Sequence, residues 1–180
     1  MGVLLRASAA LGAVASLYAA YIEYEIAAAA AAHLDFEAPC DVGGFSCSRV
    51  LSSEYSHPLS ALGLLPRGHP FDASNALAGL AWYIFAGTAA PLLPPAALLA
   101  LSVGSLAYSA FLLWILKYVL HDTCIICITM YAANIGIFVA AAREVVKGMG
   151  RLGKGSRAGK SSRENLLDPS QSRVEKAKAA

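Results

Sequence analysis

Apolar residues in this chain are gathered into four long runs instead of alternating with polar ones. Each run is close to the ~20 residues that a helix rising 1.5 Å per residue needs to cross a bilayer. The first occupies residues 3–32, with Glu23 and Glu25 as its only acids. The others occupy residues 75–93, 96–120 and 123–142. Pro91, Pro94 and Pro95 separate the second run from the third, since proline removes a backbone donor and clashes with the preceding turn. His121 and Asp122 separate the third from the fourth. Connections this short make neighbouring helices antiparallel. The pattern predicts an all-α integral membrane protein, a four-transmembrane-helix bundle with one long polar loop, residues 33–74, between helices 1 and 2. A cleaved signal peptide is the competing reading of the first run, with Arg6 as its positive flank and small residues before His33. The run is longer than a signal peptide's apolar region, which favours a span.

Composition agrees. Apolar types make up 57% of residues and charged types 14%, against ~25% charged in soluble chains, so a water-facing surface could not be covered. The net charge of +2 hides an asymmetry, because ten of the fourteen Lys and Arg lie from Arg143 onward. On so apolar a chain this basic end reads as a topology signal, not a nucleic-acid site. It predicts a four-helix membrane domain over residues 1–147 and a basic, disordered cytoplasmic tail over 148–180. Counting back through four spans makes both termini cytoplasmic and the 33–74 loop lumenal. That loop carries five acids (Asp35, Glu37, Asp41, Glu54, Asp72) against Arg49 and Arg67. Lys176 and Lys178 near the end resemble a di-lysine retrieval signal of the endoplasmic reticulum membrane.

This topology places all four cysteines on the lumenal, oxidising side: Cys40 and Cys47 in the loop, Cys124 and Cys127 at the start of the fourth span. Cys124-Ile-Ile-Cys127 puts two sulfurs three residues apart at a helix start, near enough to form a disulfide after small adjustment. Thr123 is the expected cap, and the partial positive charge of the helix N-terminus favours a thiolate. Two other readings stand beside redox chemistry: inert buried cysteines, and a zinc site of all four. Zinc knuckles are polar and glycine-containing, unlike this apolar segment, so no metal is expected. Gly43 and Gly44 make the Cys40–Cys47 segment a mobile electron carrier or, on the bland reading, a static disulfide.

Below the cysteines, Tyr131, Asn134 and Phe138 continue one face of the fourth span, while Asn75, Gly79, Trp82 and Ala86 form a comparable stripe on the second. Polar groups inside a membrane are costly unless partnered. They either serve a ligand or tie helices together. Asn75 can offer its amide to a carbonyl oxygen or, with Ser74, cap its helix; Trp82 is a ligand wall or core packing. The two stripes outline an apolar pocket for a ring with a hydrophobic tail.

Cys40-Asp-Val-Gly43, Ser46-Cys47-Ser-Arg-Val50, Ser74-Asn75 with Gly79, and Cys124-Ile-Ile-Cys127-Ile-Thr-Met-Tyr131 fall in an order that resembles the vitamin K epoxide reductase family, in its stand-alone animal form. The resemblance covers about residues 8–142. It implies a membrane oxidoreductase that reduces vitamin K epoxide to quinone, and quinone to hydroquinone, coupled to oxidation of dithiols. Cys124 and Cys127 would be the redox pair, Cys127 the nucleophile, and Cys40 and Cys47 the relay, with Cys47 exchanging with Cys124. Asn75 and Tyr131 would hydrogen-bond the ring oxygens; Gly79 and Trp82 would shape the pocket. It also implies no tightly bound cofactor beyond the redox-active disulfide, coumarin binding in the same pocket, and a separate thioredoxin-like lumenal electron donor. The chain departs from the vertebrate pattern in a loop spacer one residue shorter, in Ala78 where an aromatic stands, and in Trp82 where the aromatic is smaller. A quinone-dependent thiol oxidase uses the same cysteines and is the first alternative. A non-catalytic four-span scaffold or transporter subunit is the second, and leaves the cysteine placement unexplained.

Overall fold

A computed structural model describes residues 2–66, 68–69, 71–89 and 92–167, with side chains through residue 150. Arg67, Pro91 and the Lys176 and Lys178 pattern lie outside the described residues. Four longer helices carry the chain: α1 (Val3–Ala31), α4 (Asn75–Thr88), α5 (Pro95–Tyr118) and α6 (Ile125–Leu167). Between α1 and α4 lie α2 (Cys47–Ser52), a 3-10 turn (Glu54–Ser56) and α3 (Pro58–Ala61). No strand occurs among the described residues.

The helices are assembled inside out relative to a soluble bundle. Along α1 the buried face is Leu5, Ser8, Ala9, Gly12, Ser16, Ala19 and Ile22, mostly small residues at steps of three and four. Large apolar side chains such as Leu11, Val14 and Leu17 point outward. Lipid is as apolar as leucine, so helices in a membrane gain from close backbone approach across small residues. This seam packs against α4. A Cβ on Gly12 would run into the ring of Tyr83, and one on Gly79 would come within 3.0 Å of Ser16 Oγ. Tyr83 is 2% exposed, and its hydroxyl donates to the Met130 carbonyl of α6 at 2.8 Å.

Two cores result. One joins Leu5, Ala9, Tyr83, Ala86, Leu98, Ala133 and Ile137 at one end. The other joins Ala19, Ile22, Val50, Leu51, Leu116 and three of the four cysteines at the other end.

The helices differ from the expected spans in two places. Among the described residues, three helical segments, Val3–Ala31, Pro95–Tyr118 and Ile125–Gly150, are long and apolar enough to cross a membrane. The second expected span, 75–93, is helical only over the 14 residues of α4, about 21 Å at 1.5 Å per residue. Its helix ends before the prolines, which cannot continue the hydrogen-bond ladder. At the other end, the backbone stays helical through Leu167 where composition predicts a disordered tail from 148. Extending an existing helix avoids the cost of nucleating one. Residues 1–142 form one compact unit and 143–180 a second; in the latter, Lys147 pairs with Glu144 at 3.0 Å.

The Gly12 contact gives a stability test. Gly12→Ala is expected to destabilise the protein by about 1–3 kcal/mol, because the Tyr83 ring must move from a packed site. Gly104→Ala, where nothing lies within 4 Å of the added carbon, is expected to be neutral or stabilising. Thermal unfolding of both variants in detergent checks the contrast; equal melting temperatures would contradict it.

Candidate active site

All four cysteines meet at one end of the 1–142 unit. Cys40 and Cys47 form a disulfide with their Cα atoms 5.9 Å apart. Cys124 and Cys127 are free and buried. The Cys124 sulfur lies 4.0 Å from the Cys47 sulfur, across 77 residues of sequence. A free thiol next to a disulfide is the arrangement that thiol–disulfide exchange starts from.

Cys124 is not within α6, as the sequence spacing suggests, but caps it. Its sulfur accepts the Cys127 N–H at 3.3 Å, and its carbonyl accepts the Ile128 N–H at 3.1 Å. The sulfur therefore occupies the place expected of Thr123 and faces the positive end of the helix. The Thr123 carbonyl has another use: it accepts the Ser46 N–H at 2.9 Å and so fixes Cys47 opposite Cys124. His121, at φ 52°, turns the chain sharply between α5 and this cap.

The loop pair is held rather than loose. Cys47 opens α2 and is fully buried. Gly43 and Gly44 have φ of 60° and 89°, so these glycines supply a left-handed turn that other residues rarely adopt. Asp41 organises the segment: its two oxygens accept the N–H groups of Ser48 at 3.0 Å and Ala38 at 3.1 Å. Burial alone would raise the Asp41 carboxyl, but hydrogen bonds from the Ser48 side chain and from these backbone groups outweigh it and hold it below the usual carboxylate range. The stability this contributes is present at neutral pH and lost as pH falls through the depressed value. On the outer side, Arg49 of α2 pairs with Asp122 at 3.1 Å, two residues before Cys124.

Two adjoining cavities lead away from the sulfurs. A small chamber of about 50 Å³ is lined by Cys127, Glu23, Ala19, Asn75, Leu116 and Tyr131 among others. A larger cavity of about 300 Å³ is lined by Asn75, Gly79, Trp82, Tyr108, Tyr131 and Asn134 among others. Asn75, Leu112, Met130 and Tyr131 line both. The four residues expected to contact a ligand thus line one cavity, while Cys127 opens on its smaller neighbour.

The polar stripe residues divide by partner. Asn134 accepts from the Trp82 indole at 3.2 Å and donates to Ser109 Oγ at 2.8 Å. It therefore ties α4, α5 and α6 together, the helix-joining reading of that residue. Asn75 is not the cap of α4; Ser74 is, accepting the Leu77 N–H at 3.3 Å. The Asn75 amide nitrogen donates to the Tyr55 carbonyl at 2.7 Å, and its oxygen accepts from the Tyr108 hydroxyl. Nothing in the sequence singles out Tyr108 beyond the helical spacing of Ser105, Tyr108 and Leu112 on α5. Arg49 and Asp122 carry no local signal of their pairing. Glu23 shows in the sequence as an acid within a span, but not which face it takes.

Residues 3–142 match the model of the vitamin K epoxide reductase family. The chain is 36% identical to vitamin K epoxide reductase complex subunit 1 of Rattus norvegicus, over 72% of this chain and 81% of that relative. It is 35% identical to the Mus musculus protein of the same name over the same shares.

The Arg49–Asp122 pair closes the cover over Cys124 from a half-solvated position, so its loss costs at most about 1 kcal/mol. Asp122→Asn is expected to speed maleimide labelling of Cys124 by up to about fivefold, the factor that energy represents, with little change in melting temperature. Mass spectrometry of the labelled peptide reads the rate. An unchanged rate would show that the backbone bond to Thr123 alone holds the cover.

Proposed function

Because the chain belongs to the vitamin K epoxide reductase family, whose members are membrane oxidoreductases, we propose that it reduces vitamin K 2,3-epoxide to the quinone, and the quinone to hydroquinone, at the expense of dithiols. One observation carries this reading: the free Cys124 sulfur stands 4.0 Å from the disulfide sulfur of Cys47, while its neighbour Cys127 faces the chamber beside the ligand-sized cavity.

In this mechanism the Cys127 sulfur attacks an epoxide carbon as it loses its proton, and the C–O bond breaks, leaving an alkoxide. Cys124 then attacks the Cys127 sulfur. The S–C bond breaks, its electron pair forms the ring double bond, and hydroxide leaves as water. Two thiols become one disulfide, two electrons reach the ring, and the two thiol protons end in the water. Reduction of the new disulfide runs the other way along the sulfurs: Cys47 of the reduced loop pair attacks Cys124, and Cys40 closes on Cys47. A thioredoxin-like lumenal protein then restores the loop pair.

Asn75 keeps a second N–H after its bond to Tyr55, and this together with the Tyr131 hydroxyl binds the ring oxygens where negative charge develops. Gly79 and Trp82 form the wall on which the ring lies, with Trp82 fixed by its bond to Asn134. Residues 1–147 act as a four-helix catalytic domain in the endoplasmic reticulum membrane, with α4 as the short second span and both termini cytoplasmic. The 33–74 loop and all four cysteines then face the lumen.

Separating the products of vitamin K epoxide incubated with purified protein and dithiothreitol tests the assignment. Cys127→Ala is expected to abolish turnover with every reductant. Cys47→Ala is expected to keep turnover with dithiothreitol, which reaches Cys124 directly, and to lose it with a protein dithiol. Epoxide reduction by the Cys127 variant would refute the assigned nucleophile, and thiol oxidation coupled to quinone without epoxide reduction would identify a thiol oxidase instead.

A further inference from the structure

We propose that Glu23 is the proton relay of this reaction, taking the proton from Cys127 as its sulfur attacks and returning it to the oxygen released from carbon; the proposal rests on Cys127 being the nucleophile. Glu23 lies in α1 on the seam that otherwise buries Ser8, Gly12, Ser16 and Ala19, where a small residue would suffice for packing. Glu23 lines the same chamber as Cys127, Asn75 and Tyr131. One carboxyl oxygen, Oε1, is buried with no hydrogen-bond partner among the described residues. A buried polar atom left without a partner is costly, and within a membrane span such a group marks a site of function.

Among the described residues lining the chamber, no other side chain is suited to this work. The other titratable groups lining it are Cys127, Tyr55 and Tyr131, and phenols and a thiol exchange protons near neutrality less readily than a carboxyl. Asp41 is committed to backbone groups of its own loop. Asp72 also has one buried oxygen without a partner among the described residues, but its other oxygen accepts the Ser60 N–H at 3.1 Å, and it does not line the chamber. A volume of about 50 Å³ has room for a chain of two or three waters, at roughly 15 Å³ of such space for each. Proton transfer between Cys127 and Glu23 can therefore run through water.

The step balances. Cys127 gives its proton to the Glu23 carboxylate as the S–C bond forms and the epoxide C–O bond breaks; the acid then protonates the alkoxide and is a carboxylate again. The thiol proton of Cys124 accompanies the later loss of water. Glu23 is unchanged over the cycle and supplies no electrons.

The test uses the full chain in detergent, reduced by dithiothreitol, with vitamin K epoxide as substrate. Glu23→Gln, of nearly the same shape, is expected to lower kcat at least about a hundredfold, the low end of what general acid–base catalysis contributes, while KM changes less than about twofold. Glu23→Ala is expected to regain part of its kcat when formate is added, whereas wild-type turnover is unaffected by formate. That rescue requires a lost proton carrier and would not follow from a packing defect. Wild-type turnover with an equally active Glu23→Gln variant overturns the relay alone, as does a Glu23→Ala variant that formate does not help. Absence of epoxide reduction by the wild type overturns the functional reading and the relay with it.

Discussion

The contact between the Cys47 and Cys124 sulfurs is set by a backbone hydrogen bond between segments far apart in sequence, with the Arg49–Asp122 pair beside it. Ser46 N–H to the Thr123 carbonyl, at 2.9 Å, docks the start of α2 onto the start of α6. Both helices begin at this junction, so both cysteines occupy helix starts: Cys47 is the first residue of α2, and Cys124 caps α6. A helix start is the part of a membrane protein where backbone N–H groups remain free to meet a sulfur. The junction therefore sets two things at once, the distance between the sulfurs and the electrostatic surroundings of Cys124.

The bilayer explains why the remainder of the molecule is built from small residues. Without a hydrophobic drive between helices, association rests on close packing and on hydrogen bonds shared between them. Gly12 against Tyr83, Gly79 against Ser16, and Ser8 against Gly136 supply the first. The Tyr83–Met130 and Trp82–Asn134–Ser109 bonds supply the second. These bonds cross between α4, α5 and α6 at the level of the larger cavity, so the walls that would meet a ligand are held by the same contacts that hold the helices. Gly79 and Trp82 are structural and cavity-lining together, and the two descriptions do not compete.

Much of this was legible in the sequence, and the limits have physical causes. The apolar runs located α1, α5 and the beginning of α6 within a few residues, because length and hydropathy alone decide what can cross a membrane. The end of α4 was placed too late, since the residues after Thr88 remain apolar while the prolines have already ended the ladder. The four cysteines and Asn75, Gly79, Trp82 and Tyr131 were visible through their spacing and come together at the sulfur junction and its two cavities. Side-chain partners were not visible. Nothing local marks the Tyr108–Asn75 bond or the Arg49–Asp122 pair, because each joins elements whose relative placement is a tertiary matter. Sequence points to Thr123 as the cap for a related reason: a threonine is the commoner cap, and only the chain's path after His121 shows that its carbonyl is turned toward Ser46.

The placement of Asn75 connects the loop to the cavity. Its amide bonds the Tyr55 carbonyl in the segment that follows α2, and its oxygen bonds Tyr108 of α5. The same side chain lines both chambers. One side chain thus joins the segment after α2 to α5 and to the wall of both chambers. On the proposed route of electrons from loop to cavity, this one asparagine touches both ends.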